Sequence, residues 1–455
     1  MTIHPAGPDT RVKITEGYAR LVAREAFLWT WPMVNVYSRR LAFKDLEAPG
    51  LMGGIVPVAP PNRLAMLTDY IEPGERMVAC PNQDVVYGFG LLALDESPAV
   101  LQVPDFAGRF WVYQVVDLRT DSIAGLGAMY GTKPGCYLLA AAGWDEPLPK
   151  GITGVFRCPT KTGVVIPRVF QDDSPKDKAA VQQVIAGIDL YPLAEFDGGL
   201  KQRDWTALPH FPAHAQGEGE TRWVDPRTIF DILPAVLKDA PPLPGEAARY
   251  GELLAVLEAA EKYPDLKAVM IDEAVKADRE VVQPMFEFRN WGIPLPYNWS
   301  TVDNGAATGT DYFTRTALAK SNIFVNKANE TKYFYQDRDA SGARLNGDRR
   351  YSVTFPKDEL PPVKGFWSLT LYDTHHFFHP NELNRYSLGT KNRGLRANPD
   401  GSLTLYVQPD PPDDEWRDNW LPSPRGQDFS LYERSYWPDE AITSGRWSPP
   451  PVQPM

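Results

Sequence analysis

The hydrophobic pattern of the region from Gly365 to Pro438 predicts a set of β-strands joined by polar turns. In the run GFWSLTLYD, alternate positions form one largely apolar face and one mixed face, as expected for a strand buried mainly on one side. The run LTLYVQ repeats this alternation at Leu403, Leu405 and Val407. Three of the six histidines lie in the turn that follows the first of these strands. This stretch is therefore the best candidate location for a metal or acid/base site.

A second group of strand-like runs lies between residues 76 and 170. Six short segments rich in Val, Phe, Tyr and Trp are separated there by Gly, Pro and Asp. This composition and spacing are typical of antiparallel sheets in a sandwich or barrel. The six runs are RMVACPNQDVVYGFGLLALD, SPAVLQVPDF, RFWVYQVVDLRTD, GCYLLAAAG, TGVFRCPT and TGVVIPRVF.

Helical periodicity is found near the N-terminus and in the middle of the chain. Residues 15–40 carry a broad apolar face, and Pro32 should kink or interrupt this helix. Ser174 precedes Pro175 and is a suitable N-cap for a second helix. Further helical segments are predicted at residues 64–69, 176–188 and 311–325, and in three pieces between 225 and 291.

These patterns predict a mainly β protein with a helical middle, an α+β fold with two antiparallel β-sandwich or jelly-roll-like units. A chain of 455 residues is too long for one ordinary core, which favours two domains. We expect a helical segment at 1–50, a β-sandwich-like domain at 51–200, a helical segment at 201–330 and a second β-sandwich-like domain at 331–455.

Charge and cysteine content narrow the classes of partner. The formal net charge of −11 argues against nucleic acid, since phosphate binding needs a basic face. Cys80, Cys136 and Cys158 are far apart and odd in number, which argues against a disulfide framework. Because no run of 18 apolar residues and no apolar signal core is present, we expect no membrane span and a cytoplasmic location. A small-molecule substrate or ligand is the expected partner, and a homo-oligomer is left open.

Two groups of motifs, one towards each end of the chain, carry a resemblance to known families. The first group is PNQDVVYG at 81–88 and DFAGRFWVYQVVD at 105–117, and the second is NRYSLG, WLPSP, YERSYWP and GRWSPPP in that order. In these motifs the chain resembles domain-of-unknown-function families 1254 and 1214, which usually occur in one polypeptide. The resemblance extends from about residue 20 to residue 452. It implies a two-part architecture rich in β-sandwiches, with relatives that are often exported, and it supplies no reaction.

The turn after the strand at 367–373 holds Asp373, His375, His376 and His379. Two imidazoles and a carboxylate are a common ligand set for zinc or non-haem iron, and histidine also serves as a general acid or base. We consider Asp373, His375 and His379 as metal ligands and His376 and His379 as catalytic residues. We expect at least two of the three histidines to line a pocket. The alternative is a structural role, in which the rings bond to backbone and solvent.

The motif PNQDVVYG and the strand RFWVYQVVD supply a second polar set. Asn82 and Asp84 share one face of an extended segment, so we expect them to converge with Arg109 within hydrogen-bonding distance. Asp84 and Arg109 are the catalytic candidates here, and the alternative is a buried salt-bridged network. The ligand-binding candidates of this region are Asn82, Tyr87, Tyr113 and Asp117.

A third set joins arginine to tyrosine in the C-terminal motifs. Arg385 and Tyr386 lie in NRYSLG, and Arg434 and Tyr436 lie in YERSYWP. Cation–π packing is one interpretation of such neighbours, and ligand contact is the other. We include Arg385 and Tyr386 among the ligand-binding candidates.

Known catalytic signatures do not name a reaction. The sequence contains neither the GxSxG nucleophile motif nor a GxGxxG or GxxxxGK[ST] phosphate loop. We expect an enzyme, a hydrolase or lyase, that acts on a small polar organic substrate in a pocket between the two β units, with a divalent metal as an open question. The alternative is a non-catalytic carbohydrate- or ligand-binding tandem β-sandwich, and a structural or assembly protein is a third interpretation.

Overall fold

The computed structural model describes residues 7–9, 11–213 and 217–455. Helices account for 27% and strands for 25% of the chain, arranged as several antiparallel sheets without a barrel in the described part. The predicted α+β class, mainly β with a helical middle, is confirmed.

The first half of the chain contains a β unit made of two larger sheets and one small one. Each of the six predicted runs between residues 76 and 170 contains a strand, because Val, Tyr and Trp pack well on a pleated surface. The strands are β1 (Gly50–Met52), β2 (Val56–Val58), β3 (Arg63–Met66), β4 (Val85–Ala93), β5 (Ala99–Val103), β6 (Trp111–Asp117), β7 (Leu126–Gly127), β8 (Gly135–Ala141), β9 (Ile152–Cys158), β10 (Thr162–Phe170), β11 (Asp189–Pro192) and β12 (His210–Phe211).

Two of these sheets face each other as a sandwich. Their strand orders are β3-β4-β10-β6-β7 and β11-β5-β8-β9, and a small third sheet has the order β12-β1-β2. The sandwich core contains Leu92 and Val165 from the first sheet and Leu101 and Leu139 from the second. Side chains of alternate parity on β4 and β10, such as Phe89 and Ile166, belong to a different core on the outer face of the first sheet.

The C-terminal part of the chain forms a second β unit. The strands are β13 (Ile293–Pro294), β14 (Ser300–Thr301), β15 (Thr331–Gln336), β16 (Tyr351–Phe355), β17 (Trp367–Tyr372), β18 (Ser387–Gly389), β19 (Leu403–Gln408), β20 (Trp420–Pro422), β21 (Ser430–Tyr436) and β22 (Val452–Pro454). They form two sheets with the orders β13-β14-β15-β21-β17-β18 and β20-β19-β16-β22. Leu369 and Leu431 from the first sheet pack with Val353 and Leu405 from the second.

A helical layer covers the outer face of the first sheet. The helices are α1 (Glu16–Phe43), α2 (Pro175–Ile185), α3 (Ile229–Asp239), α4 (Ala247–Lys262), α5 (Pro264–Ala277), α6 (Tyr312–Asn322) and α7 (Glu440–Thr443). Helix α1 contacts α3, α4, α5 and α6 as well as β10, and all share one hydrophobic core with Phe89 and Ile166. Among the described residues, none of the helices combines the length and the hydrophobicity of a membrane span.

Two local predictions differ from the structure. Helix α1 runs without interruption through Pro32, because burial of its wide apolar face offsets the one backbone hydrogen bond that proline removes. Residues 64–69 do not form a helix, since Arg63–Met66 pairs with β4 as a strand. The predicted cap of α2 is present, as Ser174 accepts a hydrogen bond from the N–H of Asp177.

Candidate functional site

A cavity of about 100 Å³ lies where the helical layer and the two β units meet. That volume holds several water molecules or a small organic molecule. Tyr87 and Arg168 reach it from the first β unit, and Tyr333 and Arg434 reach it from the second. Further walls come from α1, β2, the segment 71–81 and the segment 322–325 at the end of α6.

Strand alternation decides which side chains of β21 face the cavity. Tyr432, Arg434 and Tyr436 share one face and line it, whereas Leu431 on the opposite face packs in the core of the second β unit. In the first β unit the register of β4 and β10 places Arg168 opposite Tyr87. The guanidinium carbon of Arg168 lies 5.7 Å from the centre of the Tyr87 ring.

The tyrosines of the cavity are neutral hydrogen-bonding groups. Burial raises the pKa of Tyr432 and Tyr436 well above the usual value, so both phenols keep their protons. Asn322 donates to the hydroxyl of Tyr432 at 2.8 Å, and Asn82 donates to that of Tyr436. Asn322 also lines the cavity, and its buried side-chain oxygen has no hydrogen-bond partner among the described residues.

A buried carboxyl group lines the other part of the cavity. Glu75 is 3% exposed, and its Oε1 accepts hydrogen bonds from the N–H groups of Met77 and Val78, the latter at 2.7 Å. Its Oε2 has no partner within the described residues. Burial raises the pKa of Glu75 to about 8, although the two N–H groups and Arg39 lower it in part. The group is therefore mainly protonated at neutral pH.

Arg39 lies beside Glu75 but forms its salt bridge with another glutamate. Its guanidinium is buried, donates to the carbonyl of Met77 at 2.9 Å, and pairs with Glu220 at 3.2 Å. The ring of Trp223 lies 4.4 Å from the guanidinium carbon. Burial lowers the pKa of Arg39 to about 10, so it stays charged at neutral pH.

The predicted catalytic Asp84 lies at the junction of the two β units and its oxygens are occupied. The hydroxyl of Ser387 donates to Oδ1 at 2.9 Å and that of Ser368 donates to Oδ2. The ammonium of Lys391 lies 3.8 Å away, and burial lowers the pKa of this lysine. The cluster joins the N-terminal and C-terminal units, and Asp84 is not among the residues that line the cavity.

Arg109 does not join Asn82 and Asp84. Its guanidinium forms a two-pronged salt bridge with Asp177 in the first turn of α2, at 2.6 and 2.7 Å, and the arginine lowers the pKa of that carboxyl group. The predicted convergence of the three side chains is therefore incomplete, and only Asn82 and Asp84 meet. The Asn82 side-chain oxygen accepts from the N–H of Asp84 at 2.5 Å. The alternation of side chains along one strand shows which face a residue is on, but it does not show which neighbouring element supplies its hydrogen-bond partner.

The three clustered histidines have different surroundings, and none of them lines the cavity. The ring of His376 stacks between Phe286 and Phe288, with ring centres 4.0 and 4.4 Å apart, and its Nδ1 donates to the carbonyl of Ser321 at 3.2 Å. Burial lowers the pKa of His376 to about 4. His375 lies 3.5 Å from Glu218, and Nδ1 of His379 lies 3.4 Å from the side-chain nitrogen of Gln427.

Asp373, His375 and His379 are not brought together as a metal site. The described residues contain no group of three or more His, Cys, Asp and Glu side chains placed to hold a metal ion. Asp373 instead stabilises the turn, since its Oδ1 accepts from the N–H groups of His375 at 2.8 Å and Phe377 at 3.0 Å. The turn also places His376 at a φ of 61°, so the backbone is no longer extended at this residue.

The remaining sequence candidates divide between one cavity residue and several structural ones. Tyr87 lines the cavity. Tyr113 is buried in the first sandwich, and its hydroxyl donates to the carbonyl of Gln102 at 3.3 Å. Asp117 accepts from the N–H of Arg119 at 2.8 Å, and burial raises its pKa to about 6. Arg385 donates to the carbonyl groups of Arg417 and Trp420, and Tyr386 donates to Asn384.

Comparison with known families confirms the resemblance seen in the motifs. Residues 61–192 match the family model DUF1254 and residues 330–440 match DUF1214, each described as a protein of unknown function. The chain joins a DUF1254 region to a DUF1214 region. The first contains Tyr87 and Arg168, and the second contains Tyr333 and Arg434, so the cavity lies between the two family regions.

One solved structure shows the same overall fold. The crystal structure of the VPA0106 protein from Vibrio parahaemolyticus is 19% identical, covers 96% of this chain and 100% of its own, and has a TM-score of 0.63. An uncharacterised protein from Burkholderia cenocepacia is 12% identical, covers 95% of this chain and 87% of its own, and has a TM-score of 0.45. A search of curated proteins gave no match.

Proposed function

We propose that this chain is a hydrolase or lyase that acts on a small polar organic substrate in the cavity between the DUF1254 and DUF1214 regions, with Glu75 as its general acid. Two observations on Glu75 carry the proposal: the residue lines the cavity, and its buried Oε2 has no hydrogen-bond partner among the described residues. Buried polar atoms in proteins are almost always paired, so a free carboxyl oxygen beside a cavity is a candidate for contact with a ligand.

The environment of Glu75 suits proton transfer near neutral pH. Two backbone N–H groups fix Oε1, which holds the carboxyl in one orientation. A pKa of about 8 keeps the proton on the carboxyl at neutral pH and lets it leave readily. In hydrolysis, the proton would pass from Oε2 to the leaving atom as its bond to the substrate breaks, while a water molecule adds its hydroxyl to the substrate and returns its other proton to the carboxylate. In a lyase reaction, the leaving atom would be protonated in the same way, and the proton lost from the adjacent carbon would return to the carboxylate through water.

A purely structural role for Glu75 accounts for only part of this arrangement. The bonds to Met77 and Val78 order the loop and need only Oε1. They do not account for a second oxygen left unpaired, which costs on the order of 1–3 kcal/mol when buried. A substrate hydroxyl or leaving group would complete its hydrogen bonding.

The alternative function is ligand binding without turnover, and the cavity tyrosines favour it. Tyr87, Tyr333, Tyr432 and Tyr436 line the cavity together, and neutral phenols with flat rings suit polar ring-containing ligands. Such a binder needs no group that exchanges a proton. Time-dependent consumption of a compound therefore separates the two functions.

The test is a mass-spectrometric comparison of a small-molecule cell extract before and after incubation with the purified protein. Glu75→Gln keeps the size of the side chain and removes the proton, while Glu72→Gln changes an exposed glutamate of the same loop. We expect wild type and Glu72→Gln to consume the same compound, and Glu75→Gln to be slower by about 10²–10⁴-fold. The wild-type kcat/KM should fall as pH rises through about 8, following the acid form of Glu75.

Three outcomes decide between the functions. If the wild type consumes nothing but retains a compound, the ligand-binding alternative is correct. If Glu75→Gln works as fast as the wild type, the acid is another group and the assignment of Glu75 is wrong. A consumed compound with the predicted pH profile supports the proposal and identifies the substrate.

A further inference from the structure

Two arginines line the cavity without an acidic partner. Arg168 is 7% exposed and Arg434 is 4% exposed, and they lie on strands of two different sheets, β10 and β21. Neither has a carboxylate oxygen within 4.0 Å among the described residues. Glu330 acts on Arg168 only from beyond that distance, and its oxygens already accept from Tyr130 and the N–H of Lys327.

The hydrogen bonds of these arginines go to neutral groups. Arg434 donates to Thr370 at 3.0 Å, to the carbonyl of Cys80 at 2.9 Å and to the hydroxyl of Tyr372 at 2.7 Å. Arg168 donates to Asn326 at 2.5 Å and to the carbonyl of Phe324 at 2.8 Å. Because a guanidinium has five N–H groups, each arginine keeps donors for a further acceptor.

The other buried arginines of the described chain behave differently. Arg39, Arg119 and Arg315 are buried to at least the same degree as Arg168 and Arg434, yet each has a carboxylate oxygen within 4.0 Å. The pairs are Arg39–Glu220 at 3.2 Å, Arg119–Asp117 at 3.6 Å and Arg315–Asp121 at 2.8 Å. The two exceptions both face one cavity, so their missing counter-charge coincides with the place where a ligand can enter.

We infer that Arg168 and Arg434 form an anion subsite that binds the carboxylate of a small organic acid. The planar guanidinium fork matches a carboxylate in geometry and charge. The phenols of Tyr87 and Tyr333 lie within the field of both guanidinium groups and can donate to the same anion. Apolar walls, among them Phe89 and Ile166, suit the hydrocarbon part of such an acid.

Cation–π packing of Arg434 is the competing explanation for its burial. Its guanidinium carbon lies 3.9 Å from the centre of the Tyr432 ring, which stabilises a cation without any ligand. The ring of Tyr87 lies at the longer distance of 5.7 Å from Arg168. A ring contact therefore accounts for part of the burial of Arg434 and for less of that of Arg168. It does not explain why both cations meet at one cavity.

The inference rests on the proposed function and adds to it, because it assigns a negative charge to the substrate. It can be tested before the substrate is known. The probes are acetate and benzoate, each compared with its neutral amide, acetamide or benzamide. Binding is measured by calorimetry and by the rise of Tm with ligand concentration. We expect the acids to bind the wild type and the amides to bind at least about tenfold more weakly.

Substitutions then locate the anion. Arg434→Met and Arg168→Met should each weaken benzoate binding by about tenfold or more, and Arg434→Lys should restore part of it. Arg393→Met, at an exposed arginine paired with Asp172, is the matched control and should bind like the wild type. Circular dichroism checks folding, and Arg168→Met replaces Arg434→Met if the latter does not fold.

The inference is overturned if acids and amides bind alike, or if both methionine variants bind benzoate as well as the wild type. Its failure is distinguishable from failure of the proposed enzyme. Carboxylate binding without any consumed compound would support the anion subsite and reject the enzyme. Consumption of a neutral compound that depends on Glu75, without carboxylate binding, would reject the subsite and support the enzyme.

Discussion

The buried ring of His376 should make the stability of this protein depend on pH between about 6.5 and about 4. Two phenylalanine rings enclose the imidazole at ring-centre distances of 4.0 and 4.4 Å. Burial lowers its pKa from 6.5 to about 4, while Asp337 and Asp373 oppose the shift in part. The folded protein therefore holds His376 neutral over a range in which the unfolded chain takes up a proton.

The sign and the size follow from this difference. As pH falls through 6.5 the unfolded state binds a proton that the folded state refuses, so the free energy of unfolding decreases until about pH 4. A shift of this size at about 1.4 kcal/mol per pH unit amounts to a loss of about 3 kcal/mol. Above pH 6.5 the group contributes no pH dependence, since it is neutral in both states.

The substitution His376→Phe removes the titrating group and keeps an aromatic ring between the two phenylalanines. It also removes the hydrogen bond to the carbonyl of Ser321, at a cost of about 1 kcal/mol that does not change with pH. The Cys80 thiol lies 3.5 Å from the same carbonyl and still donates to it. We therefore expect a variant less stable than the wild type at neutral pH and more stable near pH 4.

Urea unfolding followed by fluorescence, repeated from about pH 7.5 to about pH 4, measures the difference between the two proteins. His375→Phe is the matched control, because this ring is 42% exposed and makes no stack with Phe286 or Phe288. The free energy of unfolding of His375→Phe should change with pH in the same way as that of the wild type. A difference between His376→Phe and wild type that stays constant over the whole range would refute the burial argument.

Two further predictions concern other buried or paired charges. Glu433 is fully buried, one of its oxygens is unpaired, and burial raises its pKa well above 4.5. Above pH 4.5 the unfolded chain loses this proton while the folded protein keeps it, so the free energy of unfolding of the wild type falls as pH rises. The stability of Glu433→Gln relative to the wild type should therefore rise by up to about 1.4 kcal/mol per pH unit above pH 4.5. Equal differences in urea midpoint at acid and neutral pH would contradict this. Arg109→Met should lower the free energy of unfolding by about 1–2 kcal/mol, because the two-pronged salt bridge of Arg109 with Asp177 is partly buried. Thermal unfolding should show a smaller loss of stability for Arg393→Met, because Arg393 is 76% exposed.

Local sequence determined most of the secondary structure. Alternation predicted β17 and β19, the six runs between residues 76 and 170 each gave a strand, and Ser174 capped α2 as expected. These features depend on side chains within one strand or one helical turn, which the sequence displays directly. Where a local signal was wrong, as at residues 64–69, pairing with a strand more than twenty residues away decided the outcome.

The candidate site could be predicted only in fragments. Tyr87 was singled out from the motif PNQDVVYG, and Arg434 and Tyr436 were noted as neighbours in YERSYWP, where the cation–π interpretation describes part of what is observed. Arg168 carried a usable signal, since it is a charge inside the apolar run TGVVIPRVF. Glu75 carried none, because it lies in a loop without periodicity and is marked only by its burial.

Tertiary structure decided which charges are paired and which are free. Asp84 and Arg109 looked like partners, but in the structure each has other partners. Asp84 accepts hydrogen bonds from two serines and lies near Lys391, and Arg109 pairs with Asp177. His376 looked like a proton-transfer residue, and stacking between two rings left it buried and neutral. A residue type gives the chemistry that a side chain can do, but burial and the nearest opposite charge set its ionisation. Both are properties of contacts between residues far apart in the chain.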